Sequence, residues 1–102
     1  MTLVFQKIFN IFTGSSLHMI TYILATCIPG NEKEVIQKIK ELPNIVEVNG
    51  IMGKFDIFIK IQADEVIKVD FTIGKLRGVP HITSTVSIPV LYGQGGTIDD
   101  EK

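Results

Sequence analysis

A chain of 102 residues makes one domain, long enough to bury a core without staples. Hydrophobic content of 45% and charged content of 21% exclude a disordered chain, and a net charge of −1 with scattered lysines gives no basic face for DNA or RNA. A single cysteine, Cys27, excludes an intramolecular disulfide and any multi-cysteine metal site, which reads as an intracellular, cytoplasmic protein; no apolar run approaches the ~20 residues of a membrane helix.

Residues 1–18 differ in character from the remainder of the chain. Val4, Phe5, Ile8, Phe9, Ile11 and Phe12 recur at spacings of three and four, as on an amphipathic helix, and Lys7 is the one charged residue. A basic leader region and a small-residue cleavage site are both missing, so a signal peptide fits poorly. Gly14-Ser15-Ser16 reads as a hinge, and Met19 is an alternative start at the boundary of the compact domain. The segment is read first as a loosely attached tail, second as a helix docked on a partner subunit and third as an interfacial membrane anchor. Residues 19–92 are the domain proper, and 93–102 a mobile tail rich in glycine and acid.

Residues 20–28 form the first strand, with Tyr22, Leu24 and Thr26 on one face and Ile23, Ala25 and Cys27 on the other. Pro29-Gly30 ends it. A helix then starts near Asn31, which with Glu34 makes a capping-box-like pair; Val35, Ile36, Ile39 and Leu42 form its buried stripe, and Pro43-Asn44 stops it. Residues 45–63 read as a hairpin of two strands around the corner Gly53-Lys54-Phe55. In its first strand Ile45, Glu47 and Asn49 are expected on one face, opposite Val46, Val48 and Gly50. In its second strand Ile57, Ile59 and Ile61 alternate with Phe58, Lys60 and Gln62. Asp64 is the N-cap of a second helix reaching to about Arg77. Val66, Val69, Ile73 and Leu76 are its sheet-facing stripe, while Ile67 and Phe71 are left outside, as contacts for another subunit or as scattered surface hydrophobes. After the turn Gly78-Val79-Pro80, residues 82–91 form the last strand. Ile82, Ser84, Val86, Ile88 and Val90 share one face and Thr83, Thr85 and Ser87 the other, and Pro89 marks an edge.

The order strand, helix, strand, strand, helix, strand specifies an α+β, ferredoxin-like βαββαβ fold: one antiparallel sheet with two helices on one face. Nothing in the chain remains to cover the other face, so dimerisation through that face is expected.

The corner Gly53-Lys54-Phe55-Asp56 resembles the Gly-x-aromatic-Asp corner of the effector (RAM) domain of Lrp/AsnC-type regulators. Lys75-Leu76-Arg77-Gly78-Val79 followed by Ile82-Thr83-Ser84-Thr85 looks like that family's "KIR…GV…T-x-T" segment, and the likeness covers residues 20–91. The family's full-length regulators carry a helix-turn-helix domain ahead of this module, which 18 residues cannot build; the chain therefore looks like a stand-alone effector domain with no direct contact to nucleic acid. The resemblance implies homodimers that assemble further, an octamer-like ring among the forms, and hetero-assembly with full-length regulators. It also implies a free amino acid held between dimers. The residues themselves suggest no cofactor and no metal, and membrane attachment ranks last among the readings of residues 1–18.

A free amino acid is a zwitterion. Gly53 leaves backbone N–H groups open to a carboxylate, and Asp56 accepts from an ammonium. Lys54 and Phe55 share the corner, and Thr83 and Thr85 add hydroxyls from one strand face. Plain turn chemistry accounts equally well for Gly53 and Asp56, and a polar strand face for the threonines. Cys27 reads as a buried small hydrophobe, and His18 and His81 as surface residues without a metal partner. Two other readings of the function share the fold. One is a small dimeric α+β-barrel enzyme, a cofactor-free oxygenase or isomerase; the other is an ACT-like regulatory domain. The enzyme needs a pocket between helices and sheet, where Val, Ile and Leu look close-packed.

Overall fold

A computed structural model of the chain describes residues 19–98; the expectations for residues 1–18 and for 99–102 lie outside them. The described elements are β1 (Met19–Cys27), α1 (Glu32–Lys40), β2 (Ile45–Gly50), β3 (Ile57–Ala63), α2 (Val66–Arg77) and β4 (Ile82–Pro89). The strands form one antiparallel sheet in the order β2-β3-β1-β4. This is the expected βαββαβ arrangement, with β2 and β4 at the edges and Pro89 on an edge strand, where its missing N–H costs no ladder bond.

The core lies between the sheet and the helices. Ile23, Ala25 and Cys27 of β1 and Ile57, Ile59 and Ile61 of β3 meet Val35 and Ile39 of α1 and Val69 and Leu76 of α2, all buried. Strand alternation is the cause, since residues two apart share a face. The other face carries Tyr22 and Leu24 of β1, Phe58 of β3, and Val86 and Ile88 of β4, the last two each 43% exposed. The Tyr22 and Phe58 rings stand 5.4 Å apart there. Towards β2 this face turns polar, with Glu47 opposite Lys60 and Asn49 opposite Phe58.

Two bulges alter the expected alternation. In β2 the register shifts between Ile45 and Glu47, so Val46 bulges out at 54% exposure. Ile45 thereby joins Val48 on the core side, where both pack against the buried cluster, instead of sharing a face with Glu47 and Asn49. In β4 the shift falls opposite Thr26/Cys27: Ile82 pairs with Cys27, whereas Ser84 pairs with Thr26. Ile82 accordingly packs on the core, while Val86 and Ile88 face outward with Leu24 and Tyr22.

The helix ends also differ from the reading of caps. Asn31 makes no side-chain cap; Glu32 Oε1 instead accepts from Gly30 N–H at 2.9 Å, where Gly30 sits at φ +93. Glu34 lies 3.5 Å from His81 Nε2, and His81 is held at φ 77. Glu65, not Asp64, is the N-cap residue of α2, and Asp64 pairs with Lys68 at 2.8 Å, which pushes the Lys68 ammonium pKa up. On α2 the buried stripe is Val69, Thr72 and Leu76, whereas Val66 is 58% exposed. Thr72 can be buried because Asn44 Nδ2–H donates to its hydroxyl at 3.0 Å and that hydroxyl donates to Pro43 C=O at 3.1 Å. Ile67 and Phe71 lie outside, as expected.

Candidate functional site

β2 ends at Gly50 and β3 begins at Ile57, so the corner is a six-residue connection and not a three-residue turn. Gly53 sits in it at φ +130, a region side chains rarely adopt, and nothing lies within 4 Å of where its Cβ would stand. Met52 beside it is 95% exposed, Lys54 is exposed and Phe55 half-buried.

Asp56 closes the connection. Its N–H donates to Ala25 C=O at 2.9 Å, its C=O accepts from Ile51 N–H at 2.8 Å, and its Oδ2 accepts from Cys27 N–H at 2.9 Å. One carboxylate oxygen and both backbone groups are thus spent on holding the end of β1 and the loop together. Among the described residues the second oxygen, Oδ1, has no hydrogen-bond partner. Burial pushes the Cys27 thiol pKa up, and the Asp56 and Glu32 carboxylates push it further, so the thiolate is disfavoured.

Thr83 and Thr85 do not share a face. At the bulge the Thr26 hydroxyl meets those of both Thr83, at 2.6 Å, and Ser84. Thr85 stands opposite buried Ala25, on the helix side, and is half-buried. Alternation fails here because one extra residue is accommodated in β4. Thr26 and Ser84 are therefore members of the hydroxyl cluster that the alternation pattern could not supply.

The corner and the hydroxyls flank the end of β1 from opposite sides. The end of β1 lies between Asp56, which binds the Cys27 backbone, and the start of β4, where Ile82 pairs with Cys27 and Thr83 with Thr26 through their hydroxyls. Thr85 is the residue left outside. The arrangement offers a carboxylate oxygen, an open backbone corner and hydroxyls, the groups a zwitterion requires. No cluster of His, Cys, Asp and Glu among the described residues could hold a metal ion.

A concavity lies at the far end of the sheet, away from the corner. It has a volume of about 930 Å³ and is bounded by Met19 and Ile20, by Val66 and Ile73 of α2, and by Leu91 and Tyr92 after β4. The helix-facing positions are thus filled over the middle of the sheet but not at this end.

A family profile described as the Lrp/AsnC ligand binding domain matches residues 21–93. The chain belongs to this family. An uncharacterized HTH-type transcriptional regulator of Pyrococcus furiosus is 35% identical over 60 residues, 56% of this chain; the chain spans 39% of that relative. A hypothetical protein of Pyrococcus horikoshii superposes with a TM-score of 0.68 at 26% identity, over 74% of this chain and 93% of that one. AsnC of E. coli has the same fold, with a TM-score of 0.69 at 20% identity over 78% of this chain and 54% of its own. So does a transcriptional regulator of Neisseria meningitidis in complex with L-Met, with a TM-score of 0.66 at 12% identity over 87% and 58%. The Lrp/AsnC domain is a regulatory effector module, and the likeness of residues 20–91 to it is borne out. Among the described residues no helix is long and apolar enough to cross a membrane.

Proposed function

We propose that this Lrp/AsnC domain senses a free amino acid and couples that binding to its own assembly, in transcriptional or metabolic regulation. The observation that carries the proposal is the half-used carboxylate of Asp56: Oδ2 fastens β1, while Oδ1 remains to receive an ammonium beside the open Gly53 corner. Lys54 and Phe55 share that corner and Thr83 lies across the end of β1 from it, whereas Thr85 stays on the helix side. A partner copy is needed because the outer sheet face is apolar over β1 and β4, and two copies laid face to face would bury Tyr22, Leu24, Val86 and Ile88. Assembly of such dimers into rings, and with full-length regulators, is part of the same proposal. The Neisseria regulator in complex with L-Met supports an amino acid as ligand class. An amino acid at ~100 times its dissociation constant would stabilise the binding-competent state by about 2.7 kcal/mol, enough to shift an assembly equilibrium.

Thermal melts against the twenty amino acids, with size-exclusion chromatography alongside, test the proposal. A rise in Tm with one or a few amino acids and a dimer or larger species are expected. A monomer indifferent to all twenty would end the proposal. Val86→Lys, on the outer face, should yield a folded monomer; an unchanged elution volume would place the contact elsewhere.

A further inference from the structure

The concavity at the start of β1 is lined mainly by apolar groups, with Thr21, Ser87 and Tyr92 among the polar ones and Asp70 the one charged residue. At about 930 Å³ it is the size of a ligand site, far beyond a packing gap between side chains. It lies at the opposite end of β1 from Cys27 and Asp56, so it is separate from the corner. The chain itself leads into it, since Met19 and Ile20 form part of its wall.

We propose that the groove is the docking site of residues 1–18 of the same chain. Three features single out this occupant. The first is reach: residues 13–18, with Gly14-Ser15-Ser16 among them, can span roughly 20 Å when extended, so the preceding residues can turn back onto the wall they issue from. The second is chemistry. Val4, Phe5, Ile8, Phe9, Ile11 and Phe12 form an apolar stripe. Val66, at 58% exposed, and Leu91 and Tyr92, each at 66%, form an apolar surface that needs covering. The third is charge. Lys7 is the single charged side chain of the segment (His neutral), and Asp70, the single charged side chain of the groove, makes no ion pair with a described residue. A docked segment would cover the edge between α2 and β4 and leave the outer sheet face and the Gly53–Asp56 corner untouched.

The test uses the full chain. Amide NMR spectra of the parent and of Phe5→Ser/Phe9→Ser are compared, and chymotryptic cleavage within residues 1–18 is timed. The double substitution should move the resonances of Val69, Asp70, Ile73 and Tyr92 and leave those of Gly53–Asp56 in place. Lys7→Glu and Asp70→Lys should each speed cleavage about two- to fivefold, the range a partly exposed ion pair supports, and the two together should restore the parent rate. Unmoved groove resonances, or a charge swap that restores nothing, would overturn the proposal. Protection that falls on dilution would overturn it too, because the groove would then hold another copy's segment. None of these readouts involves an amino acid, so a failure here is distinct from a failure of the sensing function.

Discussion

Asp56→Ala separates the observed structural role of one carboxylate from the binding role proposed for it. Its Oδ2 accepts from the N–H of Cys27, a residue 6% exposed, so alanine leaves that donor without its partner. A hydrogen bond to a charged group contributes about 1.5–3 kcal/mol, and an abandoned buried donor costs a similar amount. Taking about 2 kcal/mol, and about 4–8 °C per kcal/mol for a domain of this size, Tm should fall by roughly 8–16 °C. Asp56→Asn retains an acceptor oxygen without the charge, and the loss should be nearer 1 kcal/mol, about 4–8 °C. Circular-dichroism melts at fixed protein concentration measure both, since Tm depends on concentration if the domain dimerises. The variants diverge in the presence of ligand: Asn keeps most of the fold but should lose the amino-acid-induced rise in Tm, because Oδ1 no longer carries charge for an ammonium. If the alanine variant melted within about 1 °C of the parent, the hydrogen bond to β1 would be worth too little to matter and the structural role would be refuted. If the asparagine variant kept the full ligand response, the binding role would be.

Gly53→Val meets open space, so its cost is backbone strain at φ +130 alone, about 1–3 kcal/mol; it should abolish the amino-acid response while size-exclusion chromatography shows the parent assembly. Thr72→Val removes the bridge between Asn44 and Pro43 at nearly constant shape and should cost about 1–3 kcal/mol in urea denaturation, with an unchanged m-value. Cys27 should react with a thiol reagent in the native protein far more slowly than in the denatured chain, because burial and the Asp56 and Glu32 carboxylates raise its pKa. The same shift sets a pH dependence. Above about 9.0, the unshifted thiol value, the unfolded chain loses its proton before the folded one, so this group's contribution to stability falls as pH rises through the folded pKa. Its slope is at most about 1.4 kcal/mol per pH unit, and Cys27→Ala should flatten the high-pH limb of a stability profile.

The order of elements was legible because each depends on a period carried by many residues at once. The β1 and β3 alternations hold through Ile23, Ala25 and Cys27 and through Ile57, Ile59 and Ile61, all buried. The Val35–Ile39 stripe fixes α1 with no side-chain cap at Asn31. Misreadings fell where one residue decides. A single bulge residue in β2 and another in β4 reversed the faces of Ile45 and Thr83, and a period-two pattern contains no signal for an insertion of one. Thr72 was missed on α2 because a threonine scores as polar until its two hydrogen-bond partners, which come from residues 43 and 44, are in view.

The corner shows the same limit in its chemistry. Gly53 and Asp56 stood out by residue type, and plain turn chemistry was the competing account of both. The geometry shows that the two accounts are not exclusive. Gly53 does adopt a conformation reserved for glycine, and Asp56 does close the loop, yet it does so with one oxygen of two. That division has a consequence for regulation. An ammonium drawn to Oδ1 would withdraw electron density from the carboxylate and weaken the bond from Oδ2 to Cys27 N–H, which anchors β1 next to the Thr26–Thr83–Ser84 hydroxyls. β1 also lies at the centre of the outer apolar face, between β3 and β4. A ligand on the proposed corner would therefore act on the same strand that a partner copy would grip, and the Cys27 amide is where the coupling can be read. In the Val86→Lys monomer, where no partner covers β1, its hydrogen-exchange protection should fall when the effective amino acid is added, and constant protection there would refute the weakening.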